Sequence, residues 1–304
     1  MEQKHGYVAA TGTGSYARTD LACEAGEACR EIKREYRLLD SPQVGGYVAE
    51  VVRYRSREGG RYVVVGCGRM TERSERELDR LATLLGEELV TMATDVMGRP
   101  LGGDRKILLV GLGNAGMTAD AIGPKTVERV TVTRHLRSMD GDMYRALGCC
   151  ELSAVTPGVL GQTGVESCEL VRGVVEHVHP DLVLTVDALA ARSCERLSST
   201  IQLSDQGIGP GSGIGNLRKA IDRQTVGCPV LALGVPTVVD SATLVWDALE
   251  QAGVSEGEVC PALRQVLRNG RSFIVSPRES DRITEIAGMT LARAIDRAFG
   301  VSEK

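Results

Sequence analysis

Hydrophobic and polar residues follow two different patterns in the first part of the chain. Residues 21–37 are rich in glutamate and arginine, which are strong helix formers, and this composition predicts a helix. Two β-branched runs follow at residues 47–54 and 61–67. The polar, glycine-containing stretch 56–60 lies between them and is typical of a turn. We therefore expect a helix and then a β-hairpin.

Farther along, the apolar period becomes that of an amphipathic helix. Ser74 and Glu77 form a capping box immediately before it. Because only one face of this helix is apolar, we expect it to pack on a sheet. That face is marked by Leu78, Leu81, Leu85 and Leu89. Similar signals predict a helix after the capping pair Thr163 and Glu166, and another from Ser241 to Gly253.

Three short, nearly continuous apolar runs predict the strands of a parallel sheet. They lie at residues 106–110, 181–186 and 229–235, and each is followed by a loop. Strands that are buried on both faces lack the alternation of a half-exposed strand. Since these runs alternate with helices, we expect a single α/β domain with a mostly parallel central sheet flanked by helices. In such folds, functional residues collect beyond the carboxyl ends of the strands.

Composition and charge narrow the class of protein. The chain has 304 residues, of which 42% are hydrophobic and 25% charged, and its net charge of -4 gives no reason to expect a nucleic-acid partner. No apolar run approaches the roughly 20 residues that span a bilayer, so we expect a cytoplasmic protein without a membrane partner. The nine cysteines are odd in number and irregularly spaced, which favours reduced thiols.

Residues 111–116, Gly-Leu-Gly-Asn-Ala-Gly, match the glycine pattern of dinucleotide-binding sites. Such a site needs a helix directly after the last glycine, whereas Gly123 and Pro124 are expected to interrupt one. The next predicted strand, 130–133, ends in Arg134, which suits the 2′-phosphate of NADP. An NADP-binding protein therefore stays an alternative, and we interpret the glycines as a tight loop.

Two carboxylates are the strongest candidates for chemistry. Asp187 follows the apolar run 181–186, and Asp120 lies in the loop after the preceding strand. A buried acid is costly unless it is hydrogen-bonded or functional, and two neighbouring acids can share a proton, one activating water while the other donates. The alternative is that both acids cap helices or loop N–H groups. His177 and His179 precede the strand, at its opposite edge, and no metal site is expected from them.

Five longer stretches of the chain are long and unusual in sequence. They are GLGNAGMTADAIGP from residue 111, TPGVLGQTGVES from 156, VDALAARSCERLSSTIQLSDQGIGPGSGIGN from 186, GVPTVVDSATL from 234 and FIVSPRESD from 273. Together they resemble the germination protease family of spore-forming bacteria, and the resemblance extends in order from about Arg18 almost to the C-terminus. It implies an endopeptidase that begins the degradation of small acid-soluble spore proteins during germination, in the spore core.

The resemblance also implies a mechanism. It implies a homotetramer with a fold similar to that of hydrogenase maturation proteases, and an atypical aspartic-type peptidase that uses no cofactor. The two proposed catalytic aspartates fall on Asp120 and Asp187. Because hydrogenase maturation proteases place metal-binding acids at similar positions, a metal-dependent peptidase is a further alternative.

Other groups are expected to complete the site. Backbone N–H groups of the glycine runs 111–116 and 207–215 are candidates to stabilise a tetrahedral oxyanion. The side chains expected close to the two acids are those of Asn114, Thr163 and Arg192.

The family is made as an inactive zymogen that processes itself near its N-terminus. Its substrates are cut after the first acid of a motif resembling Thr-Glu-apolar-Ala-small-Glu, and residues 19–24, Thr-Asp-Leu-Ala-Cys-Glu, fit it position by position. The resemblance thus implies cleavage between Asp20 and Leu21, with residues 1–20 as a pro-segment and 21–304 as the peptidase domain. From the residues alone, the same hexapeptide also fits the first turn of the first predicted helix.

Overall fold

A sheet of nine strands organises the computed structural model, which describes residues 19–24, 29–39, 47–56, 59–211, 218–269 and 273–300. Of the predicted pro-segment, residues 1–18 lie outside the described residues. In chain order the strands are β1 Cys29–Leu38, β2 Val48–Ser56, β3 Arg61–Gly66, β4 Lys106–Gly111, β5 Glu151–Val155, β6 Leu182–Ala190, β7 Thr200–Ser204, β8 Val230–Asp240 and β9 Ile274–Val275.

Helices connect and cover these strands. None of those in the described ranges combines the length and the apolar composition that a membrane span requires. In chain order they are α1 Glu75–Met97, α2 Ile122–Val127, α3 Arg134–Met139, α4 Gly141–Leu147, α5 Leu160–Thr163, α6 Ser167–Val178, α7 Arg223–Val226, α8 Ser241–Gln251, α9 Pro261–Asn269 and α10 Ser280–Phe299.

The sheet has a parallel half and an antiparallel half. Its strand order is β1-β2-β3-β7-β8-β6-β4-β5, and β9 pairs with β8. The neighbours β8, β6, β4 and β5 are parallel, whereas β7, β3, β2 and β1 extend the sheet in antiparallel fashion. The α/β class is confirmed, and all three predicted apolar runs lie in the parallel half.

Both faces of the parallel half are buried. Leu109 of β4 packs into a core with apolar residues of α1 and α10, whereas its neighbour Leu108 packs on the other face with Val171 and Val175 of α6. Successive strand residues point to opposite faces, so a strand covered on both sides must be apolar at every position. This is why the predicted runs are continuous rather than alternating.

The predicted hairpin and the leucine-marked helix are confirmed. β2 and β3 pair in antiparallel register. The side chain of Ser74 accepts from the backbone N–H of Glu77, and the Glu77 carboxylate accepts from the Ser74 N–H, so the capping box of α1 is complete. Ser241 begins α8 as predicted, and that helix ends at Gln251.

The predicted helix over residues 21–37 is wrong. Ala22–Glu24 forms one 3₁₀ turn, residues 25–28 lie outside the described residues, and β1 begins at Cys29. Pairing with β2 along most of its length gives β1 a ladder of backbone hydrogen bonds, which overrides helix propensity. Its charged residues are those of an edge strand, where charge opposes pairing with other chains.

Two further predictions around the parallel half are also wrong. Thr163 ends α5 instead of capping α6, because Gly164 adopts a left-handed conformation (φ 71°) that terminates the helix there. Residues 130–133 form no strand, since β5 takes the position beside β4. Thr133 instead bonds to the start of β5 through its N–H and its hydroxyl.

Two glycines let α2 lie directly against β4. A Cβ at Gly123 would fall 2.2 Å from the carbonyl oxygen of Leu112, and one at Gly111 would fall 2.4 Å from the carbonyl oxygen of Gly123. Both contacts involve backbone atoms, which cannot move aside as a flexible side chain can. The chain therefore turns tightly from β4 into α2, and the intervening loop is held close to the strand ends.

We expect the substitution Gly123→Ala to lower the free energy of unfolding by about 1–3 kcal/mol, the usual cost of overpacking. Gly173→Ala in α6 is the matched control, because a Cβ there has nothing within 4 Å. It should raise stability by roughly 0.5–1 kcal/mol through helix propensity. Urea denaturation measures both, and a Gly123 variant as stable as the parent would contradict the close packing.

Candidate active site

Asp187 is buried within β6, opposite the point where β4 ends. The last residue of β4, Gly111, pairs with Val186, and β6 then continues to Ala190 because β8 pairs with it that far. Asp187 therefore lies inside the strand rather than just after it. Its side chain is 5% exposed, and its Oδ1 accepts a hydrogen bond from the N–H of Ala188 at 2.9 Å.

Asp120 is brought to the same edge by a loop that folds back on itself. Its Oδ2 accepts from the backbone N–H of Asn114 at 2.8 Å. Gly113 makes this approach feasible, because its φ is +108° and a Cβ there would lie 2.0 Å from the Asp120 carbonyl oxygen. The Thr237 hydroxyl of β8 donates to the carbonyl of Ala119 at 2.7 Å, which ties the loop to the sheet.

The two carboxyls have unequal electrostatic environments. Burial raises the pKa of Asp120 above its ordinary value of 3.8, and the hydrogen bond from Asn114 opposes that rise. Burial raises the pKa of Asp187 much further, and the negative charges of Asp120 and Asp20 add to the rise. A proton shared by the pair therefore resides preferentially on Asp187.

Residues 19–24 lie beside the C-terminal end of β6. The N–H of Asp20 donates to the Ala190 carbonyl at 2.9 Å, and the Ala190 N–H donates to the Asp20 carboxylate at 2.9 Å. The next side chain, Leu21, is 1% exposed and packs into the core on the α6 face. The predicted cleavage site is therefore an ordered segment held against the strand that carries Asp187.

A glutamine from β7 holds the backbone on both sides of the Asp20–Leu21 bond. The Nε2 of Gln202 donates to the carbonyl oxygen of Asp20 at 2.9 Å. Its Oε1 accepts from the N–H of Ala22 at 2.6 Å. Gln202 is itself buried, and so is its hydrogen bond with Ala22, whereas the bond to Asp20 is part-buried.

The far end of the hexapeptide is anchored by its acid. The two carboxylate oxygens of Glu24 accept from the backbone N–H groups of Arg192 and Ser193, at 2.7 and 2.9 Å. The Thr19 hydroxyl also donates to Glu24, which links the first and last residues of the motif. The segment is thus fixed in one register relative to β6.

Comparisons with known proteins decide the family. A family model described as germination protease matches residues 48–253. The germination protease of Caldanaerobacter subterraneus subsp. tengcongensis is 35% identical, over 94% of this chain and 96% of its own length. That of Bacillus subtilis is 37% identical, over 77% of this chain and 66% of its own. The chain belongs to the germination protease family.

The resemblance found in the motifs is thereby confirmed, and the chain is a member of a protease family. The germination protease of Clostridium acetobutylicum is 34% identical, over 80% of this chain and 79% of its own length. Among solved structures, the [NiFe] hydrogenase maturation protease HycI from Thermococcus kodakarensis shares 17% identity over 48% of this chain and 80% of its own, with a TM-score of 0.31.

Three residues were predicted to lie close to the two acids of this germination protease family member. They differ in which of their groups, backbone or side chain, make contacts and with what. Asn114 contacts Asp120 through its backbone, while its side chain accepts from Gly116 and Gln162. Thr163 bonds within its own turn. The guanidinium of Arg192 pairs with Glu250 of α8, and its backbone N–H binds Glu24 instead. Spacing along the chain could not reveal that backbone groups make these contacts.

Sequence reasoning did not single out Gln202. The strand β7 was not predicted, because five residues with two polar ends give no clear period. A usable signal is present in hindsight: an amide side chain lies between two apolar residues, Ile201 and Leu203, where burial makes an unpaired amide expensive.

The glycine run 111–116 does not have the geometry of a nucleotide cradle. The N–H groups of Asn114 and Gly116 are already bonded inside the loop. The helix α2 starts only at Ile122 and has six residues, with Pro124 in its first turn. Among the described side chains, no group of three or more His, Cys, Asp or Glu residues is placed to hold a metal ion.

The raised pKa of Asp187 predicts a pH-dependent gain in stability on its removal. We would compare Asp120→Asn with Asp120→Asn/Asp187→Asn, so that both proteins lack the carboxyl of Asp120. As pH rises above 3.8, the unfolded chain ionises at this position while the folded one retains its proton, which destabilises the fold that still carries Asp187. The double variant should therefore gain relative stability with rising pH, by at most about 1.4 kcal/mol per pH unit, until the raised pKa is passed.

Chemical denaturation across a pH series measures this difference. Asp142→Asn in the same background is the control for loss of an exposed carboxylate, because the Asp142 side chain is 91% exposed. A stability difference at position 187 that did not change with pH would show that the carboxyl is not desolvated.

Proposed function

We propose that this chain is an endopeptidase that hydrolyses peptide bonds with a water molecule activated between Asp120 and Asp187. We further propose that it cuts its own chain between Asp20 and Leu21. The observation that carries both proposals is the position of residues 19–24, which lie along β6 so that the Asp20 charge acts on Asp187. A segment with the cleavage motif thus lies against β6, close enough for its Asp20 to act electrostatically on Asp187.

The proposed substrates are small acid-soluble spore proteins, cut during germination in the spore core. The support is family membership, since the curated relatives are named germination proteases. The same membership supports the proposals that the chain is a zymogen, with residues 1–20 as the pro-segment, and that it assembles as a homotetramer.

The unequal environments of the two acids support a different proposed role for each. Asp120 is the base, because the N–H of Asn114 favours its charged form. It accepts a proton from water as the water oxygen attacks the carbonyl carbon of Asp20, while Asp187 gives its proton to the carbonyl oxygen. The C–N bond then breaks as Asp120 passes its proton to the nitrogen of Leu21. The hydroxyl proton returns to Asp187, which leaves a carboxyl group on Asp20 and a free amine on Leu21.

We expect the purified chain to yield a new N-terminus at Leu21 in mildly acidic buffer. Asp120→Asn and Asp187→Asn should each slow this cleavage by roughly 10²–10⁴-fold, since each removes one proton-transfer group. Mass spectrometry and N-terminal sequencing follow the reaction, and thermal unfolding checks that each variant folds.

The control for these variants is again the exposed Asp142→Asn, which should be processed at the parent rate. Unchanged processing in the Asp120 or Asp187 variants would refute the aspartate mechanism. The same incubation after exhaustive chelation addresses the metal-dependent alternative. Activity that is lost on chelation and restored by added metal would favour it over unassisted aspartate catalysis.

The mechanism also predicts a bell-shaped pH profile. Asp120 must be ionised and Asp187 protonated, so the rate should fall at low pH as Asp120 gains a proton and at high pH as Asp187 loses one. Because the pKa of each acid is raised, both limbs should lie above 3.8. Self-cleavage rates over a pH series measure the profile, and a rate that keeps rising into alkaline pH would contradict it.

A further inference from the structure

The carbonyl oxygen of Asp20 is where negative charge develops as the Asp20–Leu21 bond is attacked, before the transfer of the proton from Asp187 is complete. The structure gives this oxygen a side-chain donor, the Nε2 of Gln202, at 2.9 Å. Donors about 2.7–3.1 Å from the developing oxyanion are what acyl-transfer enzymes use to stabilise it. We propose that Gln202 is a catalytic residue that stabilises this oxygen in the transition state, an inference that rests on the proposed cleavage between Asp20 and Leu21.

The orientation of the amide is set by the segment itself. An amide can present either its nitrogen or its oxygen, and here the oxygen accepts from the N–H of Ala22 at 2.6 Å. The Nε2 is therefore directed at the carbonyl of Asp20. The Gln202 side chain thus binds the backbone on both sides of the scissile bond. Its amide is already oriented before the reaction begins.

The sheet places Gln202 opposite Asp187 on one face. Gln202 pairs with Gly234 of β8, and Gly234 pairs with Asp187 of β6. Residues in register on neighbouring strands point to the same face, and two strand spacings separate these Cα atoms by about 10 Å. Between them, Gly234 presents no side chain, and a Cβ there would lie 2.6 Å from the Cγ of Leu189.

Other contacts hold the segment without help from Gln202. The backbone of Ala190 bonds to Asp20, the N–H groups of Arg192 and Ser193 bind Glu24, and Leu21 is buried. Removing the amide should therefore leave the segment bound in the same register. A slower cleavage rate in a variant without the amide would then reflect a role in the chemistry and not in positioning the segment.

The glycine loops are less suited to this task. The N–H groups of Asn114 and Gly116, in the first run, donate within the loop. In the second run, residues 212–215 lie outside the described residues. The carbonyl oxygen of Asp20 has its hydrogen bond from Gln202, and a contribution from the glycine loops stays a prediction.

The test is Gln202→Met, which keeps the length of the side chain and removes both polar groups. We expect the first-order rate of self-cleavage at Asp20–Leu21 to fall about 10²–10³-fold, as for other lost oxyanion donors. Gln206→Met is the matched control, because Gln206 lies four residues on and is exposed. Its rate should equal that of the parent.

Occupancy of the site is measured separately. Hydrogen exchange at the N–H groups of Ala190, Arg192 and Ser193, which bind Asp20 and Glu24 of the segment, would be compared by mass spectrometry for Asp120→Asn and Asp120→Asn/Gln202→Met, in which cleavage is slowed. A slow Gln202→Met variant in which these N–H groups stay protected supports the catalytic role. Loss of protection in parallel with rate would reduce Gln202 to a positioning residue, and an unchanged rate would remove it from the mechanism.

Failure of the proposed function itself would look different. Two results would refute the proposed mechanism: no cleavage of the parent chain at Asp20–Leu21, or cleavage of Asp120→Asn at the parent rate. Either result would also refute the role of Gln202. If neither result is obtained and Gln202→Met is cleaved normally, only the present inference is overturned.

Discussion

The carboxyl group of Asp187 is buried inside a strand, and this costly placement governs the architecture around it. Burying an ionised acid is expensive unless the protein stabilises its charge, so the group favours its protonated form. Asp120 and Asp20 approach the same carboxyl, and their charges raise its pKa further. Stability alone does not account for three acids at one strand edge. The proposed site, which holds a proton beside a carboxylate, would account for them.

The packing of the loop after β4 follows from that requirement. The loop must return to the strand end to bring Asp120 near Asp187, and backbone can approach backbone so closely only where a Cβ is missing. Gly111, Gly113 and Gly123 provide this, since a Cβ at any of them would lie within 2.4 Å of a backbone oxygen. The hydroxyl of Thr237 then fixes the returned loop to β8. The position of the acid thus depends on these glycines and on the hydrogen bonds from Thr237 and from the Asn114 N–H.

The sequence was sufficient to predict β4, β6 and β8, the hairpin, α1 and the closeness of Asp120 to Asp187. These depend on apolar periodicity and on position at the end of a buried run, which are local properties. The strand β1 was missed because its ladder with β2 decides its structure, and that pairing is not visible in its own composition. The contacts of Arg192 and Ser193 with Glu24 were missed for a related reason. Backbone N–H groups make them, and these are common to nearly every residue type.

The match to a dinucleotide-binding pattern has a physical explanation in these terms. Two of its three glycines, Gly111 and Gly113, are needed for close approach of backbone to backbone, which is also what a cofactor-binding loop requires. The third, Gly116, is exposed, and a Cβ there would meet only the Asn114 side chain, at 3.2 Å. The pattern therefore reflects a real constraint, since the backbone must pass close to its neighbours. In this chain the constraint positions Asp120. Glycine spacing reports how tightly a loop must turn, and the polar residue at the end of the loop indicates what the turn is for.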